Sequence, residues 1–593
     1  MWLLITKEDK LVDDKHEADV GSRLWNIANA ARERGGIYLR GGELGHFAYV
    51  AYLIRDHGLR TEDVTPEKVI DVIGSAPIGN EHRVALREIV SRDTTSLIRD
   101  LAAGFSAEEL KGIVLQPEAD SPTDRALGRY GDPDLPASLR SLAIDLLHID
   151  DTDYVADLHC ADGTFLMNVL RASRPARVYG SSNTALNACL AEARMSLVGA
   201  KHLIECRDGL LVEHPRTFDK IFDTPPFGMQ VALLSKDATP YLKSLLDGSD
   251  PMGRPSSADW LYCRLAYDSL ADGGTAVVIV ANGALFNGRD IQTRRYFVDN
   301  GMIRAAIALP RKLLAITTIP LTILLLGKND GPIRLVDATD LATPGRRTNT
   351  LSEDAVAKIE ARLSQDGDKS RLVSREELAA HDYSLYAPRY FYETPDLINP
   401  VSLSDLATSI ERGASIRADD LDNLTTPEDT GLYFLRLADI TDGSISDDLL
   451  HLKSVDPSTE RQWLRNGDLI LSKNGAPFKV AVADVPDDRT ILANGNLYII
   501  RLDTERVDPY YVAAFLASED GKRSLECRVT GTTIPNLPLR NIRDLQIPVP
   551  AMETQRRIAT RYRASLDQVA ILKIRLDAAR DAASASYDEE MGR

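Results

Sequence analysis

Between residues 150 and 330, short apolar runs ("DYVADL", "ARVYGS", "KIFDT", "GTAVVIVAN", "MIRAAIAL", "LTILLLG") alternate with amphipathic stretches such as "ALNACLAEARMSLVGA" and "SADWLYCRLAYDSLA". Alternation of this kind commits the segment to a mostly parallel sheet with helices on both faces, because parallel neighbours need a crossover and a helix supplies it. In such a sheet the chemistry collects in the loops at the carboxyl ends of the strands. Two loops stand out there. "VADLHCADGTFL" runs from a strand through a tight turn into a helix, and "FDTPPFG", Phe222 to Gly228, follows a strand with two prolines and an aromatic residue.

The flanking regions read differently. Residues 1–145 place apolar positions three and four apart, as in "GHFAYVAYLIRDHG", the spacing of helices that bury one face. They are expected to form a helical N-terminal domain ahead of an α/β domain at 146–330. Residues 331–399 hold one helical stretch, "SEDAVAKIEARLSQ", then polar sequence, and read as a bridging segment. From 400 to 550, short strands and turns ("GLYFLRLADITDG", "NGDLILSKNG", "NLYIIRLD") predict a β-rich domain. Residues 551–593 read as a long helix and tail, with Ile558, Tyr562, Leu566, Val569, Leu572 and Leu576 stepping by three and four along one stripe. The expected architecture is multidomain: a helical bundle, a Rossmann-like α/β domain and a C-terminal β-rich domain with a long helix.

Composition narrows the function. The five cysteines are widely spaced with no CxxC, so neither a disulfide framework nor a metal site is expected, and a reducing, cytoplasmic setting fits. The apolar run in "MWLLITKEDK" is too short for a signal or a membrane span. A formal charge of −18 leaves room for nucleic-acid binding only at a locally basic surface.

In order and spacing, "VADLHCADGTFL", "RVYGSSNTALNACLAEARMSLVGA", "CRDGLL", "FDKIFDTPPFG" and the segments that follow resemble the modification subunit of type I restriction systems, from about residue 20 to 395. The resemblance implies a class I methyltransferase fold and methyl transfer from S-adenosylmethionine to the exocyclic amine of adenine in DNA. It implies a cofactor loop at Asp157, Cys160, Ala161, Gly163 and Phe165, with Ala161 standing where the family has glycine. The carboxylate that would hold the ribose hydroxyls is replaced by Ser182 and its neighbours, while Asp208 matches the adenine-side contact. The catalytic loop is Thr224, Pro225, Pro226 and Phe227, where the family has Asn, Asp or Ser ahead of the prolines. Upstream, "GRYGDP" (Gly128 to Pro133) places Asp132 where the family has threonine.

Three of these departures concern one function. An alanine where the backbone turns left-handed or must approach a ligand costs about 1 kcal/mol or more. A lost charge-assisted bond to the ribose costs about 1.5–3 kcal/mol. Thr224 offers a hydroxyl that is shorter than an amide and branched at Cβ. Catalysis is expected to be impaired.

From 400 to 580, "LRNGDLILSKNG", "ILANGNLYIIRLD" and "VTGTTIPNLPLRNIRDLQIPVPAMETQRRI" resemble, in order, a type I specificity-subunit target recognition domain and its conserved helix. Ser472, Lys473, Asn474, Lys479, Asn494, Asn496, Arg528, Thr532 and Thr533 are donor-rich residues suited to phosphates and base edges. One recognition domain is half of what a type I specificity subunit contains, so a homodimer through the C-terminal helix is expected. The leading expectation is sequence-specific binding of double-stranded DNA within a restriction-modification or phage-defence system. One alternative is an active adenine-N6 or cytosine-N4 DNA methyltransferase. Another is a scaffold that recruits a nuclease or translocase, since neither kind of motif occurs in the chain.

Overall fold

The apolar runs between 150 and 330 do form one sheet in the computed structural model, which describes residues 19–31, 33, 43–115, 135–211, 215–229, 231, 239–314, 319–345, 348–391, 397–475, 477–529 and 536–590. The chain divides into two compact units, Met1–Phe391 and Tyr392–Arg593.

In the first unit the strands are β1 (Tyr154–Asp157), β2 (Arg177–Ser182), β3 (His202–Cys206), β4 (Phe218–Asp223), β5 (Leu270–Ala281), β6 (Ile303–Ala308), β7 (Leu321–Leu326), β8 (Ile333–Asp337) and β9 (Ser370–Val373). They lie in the order β3-β2-β1-β4-β5-β7-β6-β8-β9. Five of the eight pairings are parallel; β5–β7, β6–β7 and β8–β9 are antiparallel, so the sheet is mixed. β7 returns between β5 and β6, and so runs against both. The winding reverses between β1 and β4, and the carboxyl ends of those strands open a crevice of the kind that holds ligands in open α/β sheets.

Within 331–399, β8 and β9 extend the sheet and the helix Glu353–Ser364 buries Ala355 and Ile359 against it. The N-terminal helices are not a separate body. Their core is completed by Cys189, Leu190 and Ala193 of the helix Ala185–Leu197, which flanks the sheet. A helical layer with its apolar face on such a helix needs no core of its own.

The second unit contains two four-stranded sheets. One orders Ala407–Arg412, Leu497–Leu502, Leu469–Ser472 and Val480–Val482, all antiparallel; the other orders Thr425–Thr426, Leu450–Leu452, Leu432–Leu435 and Thr490–Ala493. The helix Met552–Glu590 begins inside this unit's core. Ala559 is buried there, and Gln555 accepts from the Asp508 backbone N–H at 3.0 Å while donating to the Pro550 carbonyl at 2.9 Å. Leu566 and Tyr562 lie against the Asp442–Gly443 turn, and Lys573 pairs with Asp442 at 2.6 Å. The stripe is therefore not uniform. Tyr562 packs on its own unit, whereas Val569, Ile571, Leu572, Ile574 and Leu576 are 37–71% exposed.

Candidate functional site

Asp157 ends β1, Ser182 ends β2 and Asp223 ends β4, so three neighbouring strands deliver polar residues to one rim of the sheet. The turn after β1 is pinned over β2. Cys160 N–H donates to the Ser181 carbonyl at 2.8 Å, and a Cβ on Gly180 would meet Cys160 Sγ at 2.7 Å. Glycine admits that approach without moving the side chains it faces. Ala161 then takes φ = +43° and Gly163 φ = +81° before the helix Thr164–Ala172 starts. Asp162 accepts from Thr164 N–H at 3.0 Å and from its hydroxyl at 2.7 Å, and pairs with the buried Arg194 at 2.6 Å. Burial alone would raise the Asp162 pKa; the Arg194 guanidinium and the Thr164 donors carry it below the ordinary carboxylate value.

Around this turn lies a cavity of roughly 440 Å³. The polar residues Asp157, Ser182 and Thr224 line it together with Ala161, Pro225 and Phe227. Its floor is aromatic: Phe165 of the helix stacks on Phe222 of β4 with centroids 3.8 Å apart and planes 16° from parallel. The two sequence-singled loops thus meet in one cavity. Cys160, Phe165 and Pro226 also line it; Gly163 and Asp208 do not. Gly163 instead faces Ala191, 3.0 Å from where a Cβ would stand, and Asp208 accepts from Leu210 N–H at 2.9 Å within its own turn. Gly128 to Pro133 lie outside the described residues.

The sequence reading passed over His159. Its Nδ1 lies 2.5 Å from Asp223 Oδ1, its ring meets Tyr262 edge-on at 4.8 Å, and it lines the cavity. Burial would lower its pKa, but the Asp223 carboxylate raises it further. Asp157 is pushed up to about 8, first by burial and then by Asp223. Ser182 Oγ, Thr224 Oγ1, His159 Nε2 and Asp223 Oδ2 are buried without hydrogen-bond partners among the described residues. Four such atoms at one rim are unusual, since each costs about 1–3 kcal/mol when left unsatisfied. No sequence signal joins His159 to Asp223, which are 64 positions apart.

In the second unit, the candidate nucleic-acid residues separate into two groups. Lys473, Asn474, Asn494 and Asn496 gather where the strand ends converge: Lys473 N–H donates to the Asn496 carbonyl at 2.7 Å, Asn474 Nδ2 to Asn496 Oδ1 at 3.3 Å, and Asn494 Oδ1 accepts from Asn496 N–H at 2.8 Å. Asn536, which the sequence reading did not name, joins them by donating to Asn474 Oδ1 at 2.7 Å. The others have structural work. Ser472 is fully buried, and its Oγ accepts from Lys479 N–H at 2.8 Å. Lys479 Nζ donates to the Leu437 carbonyl at 2.9 Å, and Arg528 to the carbonyls of Ser524 and Asp544. Each of the three thus also holds the unit's own backbone in place. Thr532 and Thr533 lie outside the described residues.

Residues 126–396 match the family model for N-6 DNA methylases, and residues 396–578 match the one for type I restriction modification DNA specificity domains. The methylase subunit of the type I restriction enzyme MpnII from Mycoplasma pneumoniae is 24% identical over 274 residues, covering 41% of this chain and 49% of that protein. That of MjaVII from Methanocaldococcus jannaschii is 26% identical over 292 residues, covering 44% and 50%. The chain spans about half the length of the curated relatives it matches. Among solved structures, a type I restriction-modification methyltransferase subunit from Streptococcus thermophilus is 17% identical with a TM-score of 0.48, covering 63% of this chain and 98% of that one.

Proposed function

We propose, from the premise that this chain joins an N-6 DNA methylase module to a type I specificity domain, that it binds double-stranded DNA sequence-specifically while its methyl-transfer site works poorly or not at all. The setting we propose is a cytoplasmic restriction-modification or phage-defence system. Among the described residues no helix is long and apolar enough to cross a membrane.

The family's cofactor, S-adenosylmethionine, suits the cavity by place and volume but not by its anchors. The observation that carries this reading is Ser182. It ends β2 at the rim of the cavity, 2% exposed and with an unpartnered hydroxyl, where a carboxylate would hold the two ribose hydroxyls. Ala161 supports it, holding in the left-handed region a turn that glycine would hold without strain. The unpartnered Thr224 Oγ1 favours a second reading, a working DNA amino-methyltransferase in which that hydroxyl and the Pro225 carbonyl accept from the target amine. Calorimetric titration with S-adenosylmethionine separates the two. A dissociation constant weaker than about 1 mM, or no heat, is expected, because each 1.4 kcal/mol lost at an anchor is about a factor of ten. Micromolar binding would favour the second reading.

We also propose a homodimer through the exposed half of the C-terminal helix. Five large apolar side chains from Val569 to Leu576 project from it, and a bipartite DNA site needs two readers. Cleavage, if the system performs it, would come from a nuclease or translocase partner.

A further inference from the structure

The turn Gly495–Asn496 in the second unit is held from both sides. Arg412 Nε donates to the Gly495 carbonyl at 2.7 Å, and the Lys473 backbone N–H donates to the Asn496 carbonyl at 2.7 Å. The surrounding backbone is tightly zipped. Ala414 N–H donates to the Ala493 carbonyl at 2.7 Å, Gly495 N–H to the Ala414 carbonyl at 2.7 Å, and Leu537 N–H to the Lys473 carbonyl at 2.8 Å. A Cβ on Gly413 would stand 2.2 Å from the Asn494 carbonyl oxygen, so this close approach is available to glycine alone.

Some basic groups of the unit are matched by carboxylates: Arg436 with Asp439 at 2.7 Å, Arg501 with Asp468 at 3.4 Å, Lys573 with Asp442 at 2.6 Å. Among the described residues no carboxylate pairs with Arg412 or Lys473. The charge that acts on the Lys473 ammonium is the Arg412 guanidinium, which adds to burial in lowering the lysine's pKa. Two cations that repel one another, with no carboxylate partner among the described residues of a chain of net charge −18, favour an incoming anion. Beside them Asn496 is exposed, and among the described residues its Oδ1 accepts only from Asn474, at 3.3 Å.

We propose that Arg412 and Lys473 clamp a DNA phosphate and that Asn496, on the turn between them, reads a base edge. This rests on the DNA-binding reading above and assigns its contacts. A carboxamide offers one acceptor and two donors, the pattern that pairs with the N7 and N6 edge of adenine in the major groove, whereas a pair of cations contributes affinity without sequence information.

The test uses the full chain and the duplex enriched by it from a randomised pool. Arg412→Ala and Lys473→Ala should each weaken binding to the enriched and to an unrelated duplex by the same factor, and lower the slope of log affinity against log salt by about one. Arg412→Lys should restore the slope although it loses the bond to Gly495, which separates a charge role from a merely structural one. Asn496→Ala should lose about 10- to 100-fold on the enriched duplex and nothing on the unrelated one, with the slope unchanged. Wild-type slopes and affinities in these variants, on a chain that still binds its duplex, would overturn this inference alone. Failure of the wild-type chain to enrich any duplex would overturn the reading beneath it.

Discussion

Nδ1 of His159 stands 2.5 Å from Oδ1 of Asp223, which ties the turn after β1 to the residue directly ahead of the Thr224-Pro225-Pro226-Phe227 loop. With a carboxylate as partner, Nδ1 is the donor of this bond. The two loops that meet in the cavity are therefore joined behind it by one hydrogen bond between buried, charge-bearing groups. Asp223 is fully buried and its second oxygen has no partner, so His159 is its main compensation.

Removing the imidazole should leave that carboxylate stranded. His159→Ala is expected to destabilise the first unit by about 3–5 kcal/mol, the cost of breaking a buried pair by deleting one member. The double change with Asp223→Asn should recover much of the loss. Thermal unfolding of the full chain, followed for the first unit's transition, measures both. An alanine variant that melts with the wild type would show that the pair contributes nothing.

Asp157 sets a pH dependence. Its carboxyl, ordinarily titrating at 3.8, is pushed up to about 8 by burial and by Asp223. Folding therefore makes it hold a proton that the unfolded chain releases. Its contribution is complete below about pH 4 and is lost progressively as pH rises towards 8. Asp157→Asn should flatten the fall in stability between those values and leave the variant relatively more stable at the alkaline end. Equal slopes for the two proteins in denaturant unfolding across the range would contradict the raised value.

The β1 and β4 loops make separable demands. Thr224→Asn restores an amide acceptor on the target side, yet no amine is methylated by a cofactor that is not bound, so tritiated methyl transfer to DNA should stay at background. Ala161→Gly relieves about 1 kcal/mol of left-handed strain. It also returns roughly 0.4–1 kcal/mol of freedom to the unfolded chain, so the unfolding midpoint should hardly move. Ala161→Gly with Ser182→Glu and Thr224→Asn is the least that should revive transfer. Activity in Thr224→Asn alone would place the whole lesion at that residue.

Ile574 and Leu572 are the most exposed apolar side chains among those on the distal part of the C-terminal helix, at 71% and 61%. Changing both to glutamate should convert a dimer into a monomer in sedimentation velocity without altering the first unit's melting. A monomeric wild-type chain would remove the proposed role of that helix.

Much of this arrangement was legible in the sequence. Six strands announced themselves as apolar runs, and Ala161 stood out because its place called for glycine. β3 did not, since "HLIEC" alternates weakly and is only half-buried. β8 and β9 were hidden in a segment whose short runs, "IRLVD" and "SRLV", acquire meaning only beside β6. Ser472 looked like a free donor because a hydroxyl at a strand's end reads the same whether it faces solvent or core. The preceding "LIL", buried without alternation, was the signal that the strand has no wet face. The His159–Asp223 bond and the unmatched pair Arg412 and Lys473 join residues 64 and 61 positions apart, and no local pattern reaches that far.

The stacked Phe165 and Phe222 belong to the cavity and to the hydrophobic core at once. A mutation that collapsed the cavity would therefore disturb packing that the whole sheet depends on, and would be lost through misfolding rather than through loss of chemistry. The hollow thus rests on packing that folding itself requires, whatever chemistry its rim performs. A lineage that stops transferring methyl groups can let Ala161, Ser182 and Thr224 drift, while the space they surround is passed on intact as a by-product of keeping the protein folded.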